Sequence, residues 1–159
     1  MKQVILENRP RGFRASGVVI KDNKILLMKQ VYQGEGFYSL PGGSLEEGET
    51  LEQACRREIK EEFNVDVVVG RLVYLVDSQS RLNFVFACEY VSGELELGGP
   101  EGKRMHENDQ YFVYWFEQEK LNELTFRPLA VKEGLLRYLK DKDSPTFFLN
   151  TVQKILQGC

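Results

Sequence analysis

The sequence has little of what most metal and nucleophile sites are made from. Its 159 residues include one histidine, His106, so triads and metal centres that need several histidines are excluded. The cysteines are three, Cys55, Cys88 and Cys159; an odd, widely spaced set gives neither a disulfide framework nor a zinc site and suits a reducing cytoplasm. No apolar run approaches the roughly 20 residues that a membrane-spanning helix needs. Residues 1–14 hold no apolar signal core, so secretion is not expected. Nor is positive charge in excess: 21 Lys and Arg stand against 24 Asp and Glu, a net charge of −3 that argues against binding a nucleic-acid polymer.

What is present is ordinary globular material, 42% hydrophobic and 28% charged, at a length expected of one domain with its own core. No repeat, low-complexity tract or linker divides residues 1–159. The acids, however, are unevenly placed. Residues 46–62 carry seven of them against Arg56, Arg57 and Lys60, a net of −4, and the remainder therefore nets +1. The function is expected in that acidic segment.

Hydrophobic periodicity predicts an α+β chain. An edge strand is expected at 1–6, and strands at 15–21 and 24–29 meet at Asp22-Asn23, a hairpin signal. Residues 31–36 read as a loop, and a short strand at 37–40 is stopped by Pro41-Gly42-Gly43. The clearest helix opens at Thr50, with Gln53 three residues on as in a capping box. It carries Leu51, Ala54, Cys55, Ile59 and Phe63 on one face and ends at Asn64, a residue that tolerates the left-handed conformation. Two strands at 65–69 and 72–76 are expected to break at Gly70. Residues 83–90 alternate, with Phe84, Phe86, Cys88 and Tyr90 on one face, and 94–97 extends the same sheet. Residues 98–110 read as a mobile loop, 111–116 as an aromatic strand, 118–124 as a short helix and 129–140 as a second clear one. After Ser144-Pro145, a C-terminal extension over about 145–157 is expected to be helical.

Glu58, Glu61 and Glu62 stand at i, i+3 and i+4, so a helix projects all three from one side. Like charges at that spacing repel by a few tenths of a kcal/mol per pair. A solvated charged face is one explanation; a hard divalent cation with oxygen ligands is the other. The preceding Gly42-Gly43, where backbone can approach a ligand closely, favours the second.

These residues carry a resemblance. Gly43, then Glu49 six positions on, then Arg57-Glu58-Ile59-x-Glu61-Glu62-x-Asn64-Val65 resembles the Nudix box, G-x5-E-x7-R-E-U-x-E-E-x-G-U with U aliphatic. Only the last glycine differs, being Asn64. The resemblance extends over about residues 12–140 and implies a Nudix-like α/β/α sandwich with a mixed central sheet and a loop–helix–loop catalytic motif. It implies a metal-dependent hydrolase that cleaves a pyrophosphate bond in a nucleoside diphosphate linked to another moiety, by water attack at phosphorus. Its cofactor would be Mg²⁺, with Mn²⁺ as the alternative, and its partner a small phosphorylated nucleotide rather than a membrane.

Residue by residue, the resemblance makes Glu58, Glu61, Glu62 and the Gly42 carbonyl metal ligands and makes Glu49 with Arg57 the pair that braces the motif. Family members differ in the general base. Here the candidates are Glu58 in the box and Glu101 or Glu107 beyond it; Glu107, nearer the strand at 111, is preferred, and neighbouring His106 reads as a bystander. Arg11, Arg14 and Lys29 are candidates to meet phosphate, and Phe13, Tyr32, Phe37 and Tyr38 to stack on a base. Substrate choice lies outside the box: residues 77–83 carry neither the proline nor the tyrosine that marks some ADP-ribose and dinucleoside-polyphosphate hydrolases. The alternative is a silent Nudix domain acting as a nucleotide sensor or scaffold, but such domains usually lose box carboxylates that this chain keeps. An edge strand at 1–6 and the C-terminal extension are consistent with a homodimer.

Overall fold

Asp22 and Asn23 both take positive φ, 50° and 60°, the conformation that matches a tight turn to the twist of the strands it joins. They connect β1 (Gly12–Lys21) to β2 (Lys24–Tyr32). The computed structural model describes residues 12–78 and 81–151. The strand expected at 1–6, the dimer it would support, and Arg11 lie outside the described residues. After β2 come β3 (Glu35–Ser39), β4 (Gly42–Ser44), α1 (Leu51–Phe63), β5 (Asp66–Asp77), β6 (Arg81–Ser92), a six-residue α2 (Gly99–Arg104) and β7 (Asp109–Glu117). A 3₁₀ segment (Gln118–Glu123), α3 (Leu129–Lys140) and β8 (Phe147–Asn150) complete it.

Among the described residues the strands form one mixed eight-stranded sheet in the order β3-β2-β1-β6-β5-β8, with β4 added to β1 and β7 to β2. β1 and β6 run parallel, Ala15 opposite Phe84 and Val19 opposite Cys88. Strand alternation sends side chains to two cores. Ala15, Val19, Leu26 and Phe86 pack against Ala54, Cys55, Ile59 and Phe63 of α1. Val18, Ile25, Leu27 and Val85 pack against Ala130, Val131, Leu135 and Tyr138 of α3. The result is a helix layer on each face of the sheet, the expected α/β/α arrangement. The face predicted for Phe84, Phe86, Cys88 and Tyr90 is the one turned to α1. α1 approaches β1 closely at Gly17, where an added Cβ would lie 2.8 Å from Ile59 Cδ1.

Several expectations are corrected. Residues 31–36 are not a loop: β2 continues to Tyr32 and a turn at Gln33-Gly34 leads into β3, because backbone pairing from Tyr32–Glu35 to Met28–Ser39 closes a hairpin. Gly70 does not divide two strands; β5 runs through it with register shifts that absorb the irregularity. Residues 94–97 form no strand. Residues 98–110 are not simply a loop but contain α2. The C-terminal extension is not helical where it is described: 147–150 is β8, parallel to β5 with Tyr74 opposite Phe147. The open edge of β5 supplies hydrogen-bond partners, and the Phe147 ring stacks on Tyr74 at 5.4 Å. Among the described residues, no helix is long and apolar enough to cross a membrane.

Candidate active site

The acidic helix begins and ends as its sequence dictates. Thr50 accepts from the Gln53 backbone N–H at 3.2 Å, and the Gln53 side chain accepts from the Thr50 N–H at 2.9 Å. Such a box contributes about 1 kcal/mol. At the other end Asn64 adopts φ 57°, ψ 28°. Its amide donates to the Glu94 carbonyl at 3.0 Å, a bond that glycine could not make.

One half of the motif is tied together by Arg57. Its guanidinium donates from Nε to Glu49 Oε1, and from Nη2 to Glu49 Oε2 and to the Ser44 carbonyl at 3.1 Å each. Nη1 reaches Glu58 at 2.9 Å and Glu61 at 3.2 Å. Arg57 holds the Glu49 carboxyl below the usual carboxylate range. Glu61 is exposed and turned to this arginine. The expected pairing of Glu49 with Arg57 is therefore present, and its effect is to fix the loop before α1 to the helix.

At Glu62 the balance differs, because Arg14 offsets only part of the repulsion. Glu62 is 7% exposed. Burial, and then the neighbouring charges of Glu101 and Glu58, push its carboxyl up to about 9. Glu58, four residues back on the same helix, adds to this upward shift. Gly43 faces the Glu58 carboxyl so closely that any Cβ there would overlap it. The glycine thus serves to let that carboxyl lie on the backbone. Gly42 is buried in β4 opposite Ser16.

Glu101 is the carboxylate that the tertiary structure adds. The Gly98 N–H donates to the Glu62 carbonyl at 2.9 Å, which docks α2 on the end of α1. Glu101 then becomes the charged group acting most strongly on Glu62, and its Oε2 is buried without a hydrogen-bond partner. Glu107, the expected distal acid, is instead exposed in the turn between His106 and Asp109. The sequence separates the two acids by six residues and gives no sign of which side of α2 faces the box. His106 is exposed, and its Nδ1 accepts from the Asn108 N–H at 3.3 Å.

Among the described residues, no preformed three-ligand cage of the usual donors stands ready for a metal. The donors nevertheless suit a hard divalent cation. Three carboxyls converge, one of them orphaned, and their mutual repulsion is what such an ion would relieve.

Beside this cluster lies a cavity of about 500 Å³. Arg14 belongs to both: it lines the cavity and senses Glu62, Glu58 and Glu101. Burial lowers its pKa. It donates to Ser16 Oγ at 3.2 Å and to the Leu40 carbonyl at 3.3 Å, and the Ser16 hydroxyl donates to Asn83 at 2.8 Å. Of the sequence-predicted contacts, Arg14, Phe37 and Tyr38 line the cavity. Tyr38 packs between Phe116 and Phe126. Lys29 is absent from the described lining; it lies over the outer Tyr38 ring at 5.6 Å, while Gln30 takes the lining position. Phe13 packs on Phe84, and Tyr32 is exposed. Sequence reasoning missed Asn83, Arg81 and Arg127, which also line the cavity. The polar Asn83 at an inward strand position was the one available signal.

A braced glutamate, a glycine under Glu58 and a carboxylate cluster on a helix of this sandwich decide the family, and comparison with known proteins agrees. The NUDIX domain model matches residues 11–135. The chain belongs to the Nudix family. It is a Nudix-type pyrophosphohydrolase, acting on acid anhydrides in phosphorus-containing substrates. It is similar to the ADP-ribose pyrophosphatase of Methanocaldococcus jannaschii, 40% identical over 129 residues, covering 77% of this chain and 71% of that protein. It is also similar to the dihydroneopterin triphosphate diphosphatase of Escherichia coli, 42% identical over 67 residues, 42% of this chain and 44% of that one. Among solved structures, a NUDIX hydrolase from Nitrosomonas europaea has the same fold, with a TM-score of 0.67 at 23% identity over 90% of this chain and 81% of that one.

Proposed function

We propose that this Nudix domain hydrolyses the pyrophosphate bond of a nucleoside diphosphate linked to a second moiety, with Mg²⁺ or Mn²⁺ as cofactor. The observation that carries the reading is the meeting of Glu58, Glu62 and the orphaned Glu101 at the end of α1. Glu58 and Glu62 would hold the ion, with Glu61, Glu101 and the Gly42 carbonyl as further oxygen donors. When bound, a divalent cation neutralises diphosphate charge and lowers the pKa of the attacking water.

The chain's own residues supply position. Arg57, held by Glu49, keeps Glu58 oriented. Arg14 meets the diphosphate where it passes from the carboxylates into the cavity. Glu58 or Glu101, in preference to the exposed Glu107 that sequence position favours, takes the proton of the attacking water. A cavity of about 500 Å³ suits a nucleoside-sized group. The Methanocaldococcus jannaschii relative, named for ADP-ribose, supports a substrate of this class. In the same reading residues 1–159 work as one domain in the cytoplasm, where Cys55 and Cys88 stay free thiols.

The test is a panel of nucleoside diphosphate conjugates and nucleoside triphosphates, ADP-ribose included, with Mg²⁺, Mn²⁺ or EDTA. Release of nucleoside monophosphate with metal and none with EDTA is expected. Absence of turnover across the panel would favour a nucleotide sensor.

A further inference from the structure

The cavity beside the carboxylates is more basic than a neutral sugar or base requires. Its described lining carries three arginines, Arg14, Arg81 and Arg127, and no carboxylate. Only Arg14 is accounted for by the reaction. It lines the cavity together with Arg81 and feels the charges of Glu62, Glu58 and Glu101 as well as that of Arg81. Arg81 opens β6 and lines the cavity with Ser78 and Asn83, so it is placed to meet a part of the ligand held in the cavity.

Arg127 stands on another wall. It precedes α3, and its guanidinium lies 3.3 Å from the centre of the Phe37 ring on β3. Stacking of this kind occupies the face of the guanidinium and leaves its in-plane N–H donors for a ligand. Its contact with Glu35 is long, 3.7 Å, and exposed, and contributes little. The sheet order β3-β2-β1-β6 puts Arg127, against β3, and Arg81, which opens β6, on either side of β2 and β1. Two fork-shaped donors on flanking walls suit a phosphate, which accepts several charge-assisted hydrogen bonds at once.

We propose that the cavity selects a substrate carrying a phosphate monoester in addition to its diphosphate, and that Arg81 and Arg127 read that phosphate. The proposal rests on the reading that this site binds a nucleoside diphosphate conjugate, and it names the conjugates favoured. Ser78 and Thr151 line the same cavity, but their hydroxyls donate to the Arg81 and Asp77 carbonyls, so the two arginines are left as the donors to that group.

Binding tests it independently of turnover. Adenosine 5′-monophosphate, adenosine 2′,5′-bisphosphate and adenosine 3′,5′-bisphosphate hold no anhydride, so each can be titrated calorimetrically into the full chain with Mg²⁺ present. At least one bisphosphate is expected to bind about tenfold more tightly than the monophosphate, as one charge-assisted contact implies. In Arg81→Gln and in Arg127→Gln that ratio should fall towards one, and in Arg81→Lys part of it should return. Bisphosphates that bind no more tightly than the monophosphate overturn the proposal. So does a ratio unchanged in both glutamine variants, which would mean that the arginines serve only the common 5′-phosphate. Hydrolysis is scored separately on the substrate panel: absence of turnover across all of it strikes the hydrolase reading and leaves the binding ratio standing.

Discussion

The two ends of the acidic motif answer the same problem in opposite ways. At the start of α1, Glu49 meets a guanidinium and its carboxyl is held below the ordinary range. At the end of α1, Glu62 is buried among like charges and its carboxyl is pushed up to about 9. Both belong to one short module, so composition does not explain the contrast; the partners do. The Arg57 end is complete in itself and works as a frame. At the Glu62 end Arg14 opposes only part of the repulsion, and a proton or a cation between the carboxylates relieves the rest.

The most direct way to break the contrast is Glu62→Gln. Turnover with Mg²⁺ should fall on the order of 10³-fold or more. Yet the metal-free variant should melt no lower than wild type at neutral pH, because Gln imitates the protonated form. A large loss of metal-free stability would contradict the idea that Glu62 is charge-strained. Next, Glu101→Gln should cost roughly 10- to 100-fold in kcat/KM, while Glu107→Gln stays within about twofold. The reverse order would restore the acid that sequence position favoured.

The frame end should be less sensitive. Glu49→Gln or Arg57→Lys is expected to lower activity about 10- to 100-fold by loosening Glu58, and to shift the metal requirement to higher concentration. Recovery of full activity at saturating Mg²⁺ in either variant would locate the whole effect in ion binding.

pH separates the two ends without mutation. Glu62 in the folded chain holds its proton above the ordinary 4.5 of the unfolded one. Between about 4.5 and 9 the folded state therefore binds more protons, and metal-free stability falls as pH rises. Glu49 has the opposite sign: its contribution is present above 4.5 and is lost as pH drops below that value. Thermal melts in EDTA across this range should show the alkaline decline, and Mg²⁺ should remove most of it. A flat metal-free profile in wild type would mean that Glu62 is not strained. The smallest expected effect is Asn64→Gly, within about 0.5 kcal/mol, since glycine gains backbone ease and loses the bond to Glu94.

Much of this site is legible without coordinates because it is local. The Thr50–Gln53 box, the i, i+3, i+4 carboxylates and the left-handed Asn64 follow from helical geometry within residues 50–64, and the Arg57–Glu49 pair is implied by the resemblance of residues 43–65 to the Nudix box. The two core faces follow equally from periods of 3.6 and 2. Sequence spacing says much less about partners that meet through the sheet. Arg14 and Glu101 come from opposite flanks of the box, and Glu101 arrives only because Gly98 hydrogen-bonds to the Glu62 carbonyl.

The same division explains the errors. Residues 147–150 became a strand because β5 had an edge to pair with and Tyr74 a face to stack on, neither visible in the tetrapeptide. Thus the sequence alone determined the motif, its charge and the helix that carries it, since those rest on neighbours a turn or two apart. Tertiary structure decided which distal acid lies beside it, which arginines line the cavity and where the last strand among the described residues lies. Those contacts depend on the packing of distant elements, and no short-range pattern encodes it.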